Sequence, residues 1–569
     1  MKKHFNLFWI LASFVLLLAS CTKETPQTIS NDYTQDDKEI DGSALDTSTQ
    51  AFISYSLSDY AKKAITISFS AEMKVENTSA SSRYLMWQVD VSDYPIIASH
   101  TFDIGTSDWI TVSGTNKDSI LLGDNNKLYL STYNTNTGSN DPANLKISIK
   151  NVKYTVTVHE APAGEGWLSD DVPSLKDTYA DIFDSFGIAC EYTPSGRGEL
   201  SSASVRQGLV KHADSITMGN EFKPQFIAAW WGRNPTVSGT FTASNGKTID
   251  TPVLNGFGTV DNCLKACKDS GLLMRGHVLV WHSQTEEAFF RENYQTNGAL
   301  VDKETMTARQ EWYIKTVLEH VAEWEKNNNN GNHIIWAWDV VNEAMADDAG
   351  TNYSGSSQNW LRGSTNDTKD KEPSKGGSRW YQIYGSEEFI INAFRFANAY
   401  APADVKLCYN DYNEYMGNKH KAILHIINLL QNADTTKVNG KDVKPRINVM
   451  GMQSHVGATW PGASSYESAL KDFLNAGVDV HVTEFDIAAT SQSTAASVYK
   501  EYFNMLKKYG KKYSGTNKIT NVTVWGISSE DSWIKTNNKG ETQYPLLFNR
   551  SGSNYYTNSA FDAVIAAAE

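Results

Sequence analysis

Apolar and polar residues alternate strictly along residues 64–76, near the start of the chain. Ile65 and Ile67 begin a row of apolar odd positions, and the even positions between them are polar. This alternation predicts a β-strand with one face in a core and one in water. Residues 152–158 repeat the pattern, and short strands broken by glycine-containing turns lie between the two. We therefore predict an all-β sandwich over residues 50–160.

The pattern changes after residues 161–169, a stretch with proline and glycine that we predict to be a linker. From residue 170 to 569, short apolar runs alternate with longer helical stretches, which indicates a parallel sheet covered by helices. The eight predicted strands are residues 187–190, 215–218, 272–280, 334–341, 405–409, 447–453, 478–483 and 522–527. Eight units in about 400 residues predict an α/β fold, a (β/α)8 TIM barrel preceded by the sandwich.

Residues 1–21 combine a short positive head with an almost wholly apolar run that ends in Leu-Ala-Ser-Cys. The run is shorter than the about 20 residues that a membrane-spanning helix needs, so it predicts a cleaved signal. The residues around Cys21 resemble a bacterial lipobox, whose cysteine is lipidated, and the alternative is a plain secretory signal. Residues 22–49 are polar without apolar periodicity and predict a flexible tether. We expect an exported bacterial lipoprotein at the outer membrane or cell surface, with the periplasmic side left open.

The composition limits the partners of the chain. Its 51 Lys and Arg face 65 Asp and Glu, a formal net charge of −14, which argues against a nucleic-acid partner because such binding rests on basic contacts. The 16 Trp, 27 Tyr and 22 Phe either fill cores or offer flat faces to a weakly charged ligand such as a sugar. We expect a monomer that touches the membrane only through its lipid anchor.

Two cysteines raise the question of a metal site. Cys263 and Cys267 lie four apart in a predicted helix and so share a face. A zinc site would need two more ligands nearby, and none is evident in the sequence, so we interpret both as buried free thiols. We expect no metal and no organic cofactor.

Polar and aromatic residues cluster at the carboxyl ends of the predicted barrel strands, where TIM barrels carry out their chemistry. Strand four ends with Asn342 and Glu343, and strand seven with Glu484 and Asp486, which share a face because they are two apart. The other strand ends supply Asn220, Lys223, His277, Trp281, Gln284, Gln453, His455, Trp525 and Trp533.

Two carboxylates at one barrel mouth, among amides, imidazoles and indoles, meet the needs of glycoside cleavage. One acid protonates the departing oxygen, and the other attacks or stabilises the oxocarbenium-like carbon. Either glutamate alone is more often a salt-bridged structural residue, so it is the pair in aromatic company that favours catalysis. A metal site competes for His277, His282 and His455, but His277 and His282 are five apart on one strand and so point to opposite faces.

The segments that carry these residues resemble glycoside hydrolase family 10, the retaining endo-β-1,4-xylanases. The collinear matches are SITMGNEFKPQ, RGHVLVWHSQT, WDVVNEA, LCYNDYN, MQSHV, VTEFDI, VTVWGISSEDSW and PLLFN. The resemblance implies an enzyme that cuts xylan internally by double displacement, with xylan and xylo-oligosaccharides as substrates. Another β-1,4-glycan, mixed-linkage or cellulosic, is the alternative substrate. A non-hydrolytic glycan-capture lipoprotein is the alternative of a different class.

The resemblance also implies roles for single residues. Glu343 becomes the general acid/base and Glu484 the nucleophile. Asn342 contacts the sugar 2-hydroxyl, and His455 is bonded to Glu484 and held by Asp486. The residues implied for the sugar subsites are Asn220, Lys223, His277, Trp281, Gln284, Gln453, Trp525 and Trp533.

The sequence departs from the family pattern at three places. A glutamate usually stands where this chain has Gly219, so we expect weaker binding of a sugar on the non-reducing side, unless another side chain, for example from the 344–380 loop, replaces it. The alternative is that Gly219 holds a backbone conformation that only glycine tolerates. Glu286, Glu287 and Ala288 replace a stretch that commonly contains proline and tryptophan, and the polar 344–380 loop is long.

The front domain resembles, more weakly, a β-sandwich carbohydrate-binding module, through DWITVSGT and IKNVKYTVTV. Trp87, Trp109, Tyr129 and Tyr133 are candidate stacking residues. The alternative is that Trp109 and most of the others belong to the sandwich core.

Overall fold

The computed structural model of the chain describes residues 28–29, 38–41, 53–61, 63–91, 94–116, 120–122, 125–134, 139–159, 165–192, 198–346, 359–364, 377–552 and 554–569. It divides the chain into two units, of which the second begins at Pro162. The predicted signal with Cys21, part of the predicted linker and most of the 344–380 loop lie outside the described residues.

In the described residues, the first unit contains two larger antiparallel sheets and one two-stranded sheet. Its strands are Thr28–Ile29 (β1), Lys38–Asp41 (β2), Ser54–Ser56 (β3), Ala64–Asn77 (β4), Arg83–Val89 (β5), Ile96–Phe102 (β6), Gly105–Thr106 (β7), Ile110–Thr115 (β8), Ile120–Leu121 (β9), Lys127–Ser131 (β10), Tyr133–Asn134 (β11), Ser139–Asn140 (β12) and Leu145–His159 (β13). One sheet is built on the long β4 and β13, which pair from Ala64 opposite His159 to Asn77 opposite Leu145. The other larger sheet has the order β3-β10-β5-β6.

The alternation of apolar and polar residues along β4 gives the strand one buried and one more exposed face, as predicted. The odd positions from Ile65 to Val75 are buried, whereas Ser68 and Glu76 are exposed. The two larger sheets share one apolar core, in which the rings of Phe69 and Trp87 lie 4.4 Å apart. The sandwich is therefore confirmed. Within the predicted tether, however, β1 and β2 pair with β13, so those two segments are not free coil.

The second unit is built on a closed parallel barrel. The strands of this unit are Ser185–Cys190 (β14), Ser215–Met218 (β15), Val237–Thr242 (β16), Thr248–Pro252 (β17), Leu273–Trp281 (β18), Ile335–Asn342 (β19), Lys406–Asp411 (β20), Thr436–Val438 (β21), Lys441–Val443 (β22), Val449–Met452 (β23), His455–Gly457 (β24), Asp479–Ala488 (β25), Ile519–Val524 (β26), Phe548–Ser551 (β27) and Asn554–Thr557 (β28). Eight of them, β14, β15, β18, β19, β20, β23, β25 and β26, form the barrel, and the pairing of β26 with β14 closes it. The predicted (β/α)8 fold is confirmed.

Helices follow the barrel strands and cover them. They are Leu175–Tyr179 (α1), Ala203–His212 (α2), Pro224–Ala228 (α3), Phe257–Ser270 (α4), Lys303–Asn328 (α5), Arg379–Tyr384 (α6), Glu388–Tyr400 (α7), Gly417–Asn432 (α8), Ala463–Asn475 (α9), Gln492–Leu506 (α10) and Ser559–Ala568 (α11). Asp302 caps α5 and Ser491 caps α10 through side-chain oxygens that accept backbone N–H groups. Among the helices of the described residues, none combines the length and the apolar character needed to cross a membrane.

Two barrel strands differ from their predicted bounds by three or more residues, whereas the ends of the other six agree to within two residues. β25 continues to Ala488, beyond the predicted end at residue 483, because its far part pairs with β24, with His455 opposite Asp486. This pairing holds Asp486 within a strand rather than in a loop, and Glu484 precedes it at an irregularity in the pairing of β25 with β26. β26 ends at Val524 because the backbone turns at Gly526, whose φ is 130°.

Candidate active site

One cavity of about 920 Å³ opens at the carboxyl ends of the barrel strands. The sequence-predicted residues that line it are Asn220, Lys223, His277, Trp281, Asn342, Glu343, Gln453, His455, Glu484, Trp525 and Trp533. The other two predicted residues, Gln284 and Asp486, do not line it but hydrogen-bond to Lys223 and His455, which do. The structure therefore brings all of these residues together, and their roles toward a sugar stay predictions.

Glu343 directly follows β19 and has a φ of 53°, a region that residues other than glycine rarely adopt. Its N–H donates to the carbonyl of Asn410 at 2.9 Å, and its own carbonyl accepts from Nε of Arg362 at 3.1 Å. These contacts from two other segments hold the unusual backbone in place. The result is that the Glu343 side chain points into the cavity.

Both oxygens of the Glu343 carboxyl accept hydrogen bonds. Oε2 accepts from the indole Nε1 of Trp281 at 3.0 Å. Oε1 accepts from Nδ2 of Asn342 at 3.1 Å and from Nε2 of Gln453 at 2.9 Å. The amide that the resemblance assigns to a sugar hydroxyl, that of Asn342, thus donates to the neighbouring carboxyl in the structure.

Glu484 is buried on β25, and both of its oxygens also have donors. Oε1 accepts from Nδ2 of Asn410 at 2.8 Å, and Oε2 lies 3.3 Å from Nε2 of His455. The other ring nitrogen of His455 lies 2.9 Å from Oδ1 of Asp486, whose Oδ2 accepts from the indole of Trp533 at 2.8 Å. These are the contacts that the resemblance implies for His455.

The same contacts set the charges of Glu484 and His455. Burial opposes ionisation of Glu484, but the hydrogen bond and charge of His455, with His277 and Asn410, hold the pKa of that carboxyl below its ordinary value. Burial also opposes protonation of His455, but Asp486 and Glu484 raise its pKa well above the ordinary value. Glu484 is therefore a carboxylate beside an imidazolium, which is the ionisation state that a nucleophile needs.

Asn410, near the end of β20, connects Glu484 to Asn342, which donates in turn to Glu343. Its Nδ2 donates both to Glu484 and, at 2.9 Å, to Oδ1 of Asn342. Its own Oδ1 accepts from the hydroxyl of Thr483 at 2.7 Å. Asn410 is not among the site residues predicted from the sequence, although it lies two residues after the buried Cys408 and so on the same face of its strand.

A row of polar groups forms another part of the cavity wall. Nζ of Lys223 donates to Oε1 of Gln284 at 2.9 Å and to Oδ1 of Asn220 at 3.2 Å. Nδ2 of Asn220 donates in turn to Oε1 of Glu191 at 2.8 Å. Burial lowers the pKa of the Lys223 ammonium, while nearby carboxylates, with Glu484 first among them, oppose the shift. This row can present donors and acceptors to the hydroxyls of a neutral ligand.

His277 takes part in the network around the buried ion pair of Arg275 with Asp339. Its Nδ1 lies 2.9 Å from Oδ2 of Asp339, and Nη2 of Arg275 lies 2.6 Å from Oδ1 of the same carboxylate. The guanidinium, with His277, holds the pKa of buried Asp339 below its ordinary value against the effect of burial. Among the described residues, no group of three or more His, Cys, Asp or Glu is placed to hold a metal ion.

Three indoles contribute apolar surface to the cavity. The ring of Trp281 lies 5.1 Å from Nζ of Lys223, within cation–π range. Trp525 packs edge-on against His277 at 5.7 Å between ring centroids, and Trp533 is 65% exposed. Indole faces suit the C–H-rich faces of pyranose rings, so the cavity can bind a sugar chain by stacking as well as by hydrogen bonds.

The four candidate stacking residues of the first unit separate into two pairs. Trp87 and Tyr129 are buried, so their interpretation as stacking residues is wrong: the inner face of β5 carries Trp87 into the core. Trp109 and Tyr133 are 39% and 42% exposed, so the alternative that Trp109 belongs to the core is wrong too. Lys150 lies over one face of Trp109, with its Nζ 4.2 Å from the ring centroid.

The residues that depart from the family pattern after β18 hold the fold locally. Both oxygens of buried Glu286 accept backbone N–H groups, those of Trp231 at 2.6 Å and Gly232 at 3.1 Å. Glu287 pairs with Arg291 and with Arg379, whose Nε lies 3.0 Å from Oε1. Their side chains are thus committed to neighbouring segments of the protein rather than aimed at a ligand.

Several residues of the cavity are not among those predicted from the sequence. Glu191, Tyr412 and Asn413 line the cavity, and Arg362 donates to the hydroxyl of Tyr412 at 3.1 Å. Tyr412 and Asn413 follow β20, and Glu191 follows β14, so each lies at the carboxyl end of a barrel strand. That position at a strand end is the signal in the sequence by which these three residues could be found.

Comparisons with known proteins fit this geometry. Residues 174–567 match the family model described as Glycosyl hydrolase family 10. The chain is 33% identical over 400 residues to endo-1,4-beta-xylanase Y of Acetivibrio thermocellus, covering 68% of this chain and 32% of that protein. It is 33% identical over 396 residues to the bifunctional endo-1,4-beta-xylanase XylA of Ruminococcus flavefaciens, covering 70% of this chain and 34% of that protein. The chain thus spans about a third of the length of these relatives.

A solved structure resembles both units. It contains the CBM22-1 and GH10 modules of the N-terminal endo-1,4-beta-D-xylanase 10B of Clostridium thermocellum, complexed with xylohexaose. The match covers 90% of this chain and 87% of that one, with 28% sequence identity and a TM-score of 0.55.

Proposed function

Because the chain belongs to glycosyl hydrolase family 10, we propose that it hydrolyses internal β-1,4-xylosidic bonds of xylan with retention of configuration. The observation that carries the proposal is the pair Glu343 and Glu484 in one cavity, with every carboxyl oxygen held by a donor. The xylanase names of the relatives support xylan as the substrate.

In the first step, the Glu484 carboxylate attacks the anomeric carbon while Glu343 gives its proton to the departing glycosidic oxygen. The C–O bond to the leaving sugar breaks, and a covalent glycosyl–Glu484 ester forms. In the second step, a water molecule attacks the same carbon while the Glu343 carboxylate takes its proton. The ester bond to Glu484 breaks, the sugar leaves with the new hydroxyl group, and Glu343 is again in its acid form.

The neighbouring groups support each role. The imidazolium of His455 and the amide of Asn410 stabilise the negative charge of Glu484 before attack, and they share the charge again when the ester is cleaved. Asn342 and Gln453 hold Glu343 in position for proton transfer. No step in this scheme requires a cofactor or a metal ion.

The substrate is tested by reducing-sugar release from xylan beside mixed-linkage β-glucan and cellulose, with Glu484→Ala as the inactive control. Faster release from xylan supports the proposal, and faster release from either glucan would make the alternative β-1,4-glycan the substrate. Binding of xylan by the wild-type protein without any release would favour the glycan-capture protein instead.

For the first unit, we propose that it binds glycan through exposed aromatic rings, as its likeness to a carbohydrate-binding module suggests. Trp109 and Tyr133 remain as candidates because they are exposed. Affinity electrophoresis in xylan-containing gels measures xylan binding by the full chain. All proteins compared carry Glu484→Ala, so that the xylan is not degraded. Weaker retardation of the Trp109→Ala or Tyr133→Ala variant than of the protein with Glu484→Ala alone supports the proposal. Equal retardation of all three proteins would contradict it.

For the start of the chain, we propose that Cys21 is lipidated and anchors the protein to the outer membrane or the cell surface. The apolar run and the small residues before Cys21 support this. Membrane fractionation of the wild type and of Cys21→Ala tests it. The wild type is expected with the membranes and the variant in the soluble fraction, whereas an unchanged distribution would contradict the anchor.

A further inference from the structure

The space beside Gly219 is occupied by another side chain. A β-carbon at position 219 would lie 3.3 Å from Cγ of Glu191 and 3.4 Å from its Oε1. The φ of Gly219 lies outside the left-handed region, so its backbone does not require glycine. The alternative explanation of Gly219 by backbone conformation is therefore wrong.

Two buried carboxylates fix the backbone at Glu191. The N–H of Glu191 donates to Oε2 of Glu199 at 3.0 Å, and the N–H of Tyr192 donates to Oε1 of Glu221 at 2.7 Å. Both accepting glutamates are almost fully buried. Glu191 itself lines the cavity, directly after β14. The fold thus presents this one side chain to the cavity from a rigid support.

The carboxylate of Glu191 has only one of its oxygens engaged. Oε1 accepts from Nδ2 of Asn220 at 2.8 Å, and among the described residues no donor contacts Oε2. The Asn220 amide connects Glu191 to Lys223, which lies near the reacting carboxylates. Because Glu191 is separated from them by Asn220 and Lys223, it is placed for a neighbouring sugar rather than for the one that reacts.

The side of the cavity follows from the position of Gly219. The resemblance to the family implies that a side chain at position 219 serves a sugar on the non-reducing side of the cleaved bond. Glu191 lies against this position, with its Cγ 3.3 Å from the place of a β-carbon at 219. The row from Lys223 to Glu191 is therefore assigned to the retained, non-reducing part of the sugar chain.

We propose that Glu191 is a specificity-determining residue, which accepts a hydrogen bond from a hydroxyl of the sugar adjoining the cleaved one on the non-reducing side. It does so from the space that Gly219 leaves open. The proposal rests on the proposed glycosidase function. A hydroxyl bonded to a carboxylate is a charge-assisted contact, worth about tenfold in binding once solvent competition is included.

The test compares two substrates with the same activated aryl leaving group, an aryl β-xyloside and an aryl β-xylobioside. Only the second places a sugar beside the one that reacts. For Glu191→Ala, the ratio of kcat/KM on the xylobioside to kcat/KM on the xyloside is expected to fall about tenfold, mainly through KM. Glu191→Gln keeps a neutral hydrogen-bond acceptor, so its ratio should fall less than that of Glu191→Ala. The control Glu319→Ala, on the exposed face of α5, should leave the ratio unchanged.

If Glu191→Ala lowers kcat/KM equally on both substrates and leaves Tm unchanged, the assignment of Glu191 to the neighbouring sugar is overturned. Failure of the wild type to cleave either substrate, or xylan, would instead contradict the proposed function itself, so the two failures are distinct.

A double variant tests the link to Gly219. Glu191→Ala removes Cγ and Oε1, the atoms that crowd position 219, so Gly219→Glu in that background gains room for its own carboxylate. The double variant is expected to recover most of the lost ratio. A folded double variant that remains as low as Glu191→Ala would contradict the claim that both positions serve one space.

Discussion

Around Glu343 and Glu484, each carboxyl oxygen has a donor from the protein, whereas Glu191 in the wall of the same cavity keeps one oxygen without a donor among the described residues. The centre is thus organised before any sugar binds, which is what lowering a reaction barrier requires. The outer region holds polar groups whose contacts are incomplete, which is what recognition of a hydroxyl requires. The comparison predicts that changes at the centre act on kcat and that changes at the outer region act on KM.

The largest effect is expected for Glu484→Ala. Loss of the nucleophile removes the covalent step, so kcat on xylan should fall by several orders of magnitude while xylo-oligosaccharide binding, measured by calorimetry, remains. Glu319→Ala is the matched control for loss of a carboxylate. Substantial turnover by a correctly folded Glu484→Ala variant would contradict the role of Glu484 as nucleophile, and with it the claim that changes at the cavity centre act on kcat.

Glu343→Ala should separate the two chemical steps. Aryl substrates with a good leaving group need no proton, so their first step should lose little, while the second step slows and glycosyl-enzyme accumulates. Added azide should restore turnover and give a product of retained β configuration, observed by NMR. An inverted product would place the two carboxyl groups about 6.5–9.5 Å apart and would contradict retention.

Asn410→Ala should give a smaller effect with a pH signature. The variant loses one hydrogen bond that stabilises ionised Glu484, so kcat/KM should fall about tenfold to a hundredfold. The pKa of Glu484 should rise, since a contribution that lowers it is gone. Activity requires the ionised form, so the acidic limb of the pH–rate profile should move to higher pH. A loss of activity with an unmoved limb would mean that Asn410 acts only through the fold.

Gly219→Glu alone should give the smallest effect. Its β-carbon would crowd Glu191, and its carboxylate would lie beside a like charge, so KM for short xylo-oligosaccharides should not decrease. Sequence reasoning alone, which sees only a missing carboxylate, predicts a decrease. Measuring KM and Tm on one preparation decides between the prediction from the structure and the prediction from the sequence alone. A lower KM at unchanged Tm would favour the prediction from the sequence alone.

Much of the fold and of the cavity centre could be predicted from the sequence because both depend on local patterns. Alternation along residues 64–76 specifies a strand with one buried face, whatever it pairs with. Glu343 and Glu484 lie at the ends of strands that are recognisable by their apolar runs, and the closed barrel brings those ends together.

What could not be predicted depends on contacts between distant segments. Glu191 and Gly219 are unremarkable apart, and only the pairing of β14 with β15 shows that one fills the space left by the other. Trp87 and Trp109 are alike in the sequence, but the twofold period of a strand places Trp87 inward, whereas Trp109 precedes β8 and stays exposed.

The most direct test of the account is to trap the covalent intermediate. An activated 2-deoxy-2-fluoro-β-xylobioside slows the second step more than it slows loss of its leaving group, so the glycosyl-enzyme should persist. Mass spectrometry of the intact protein and of its peptides should show one added fluoroxylobiosyl group, carried by Glu484. No adduct on an enzyme that is active on xylan, or an adduct on Glu343 or any other residue, would contradict the assignment of Glu484 as the nucleophile of a retaining enzyme.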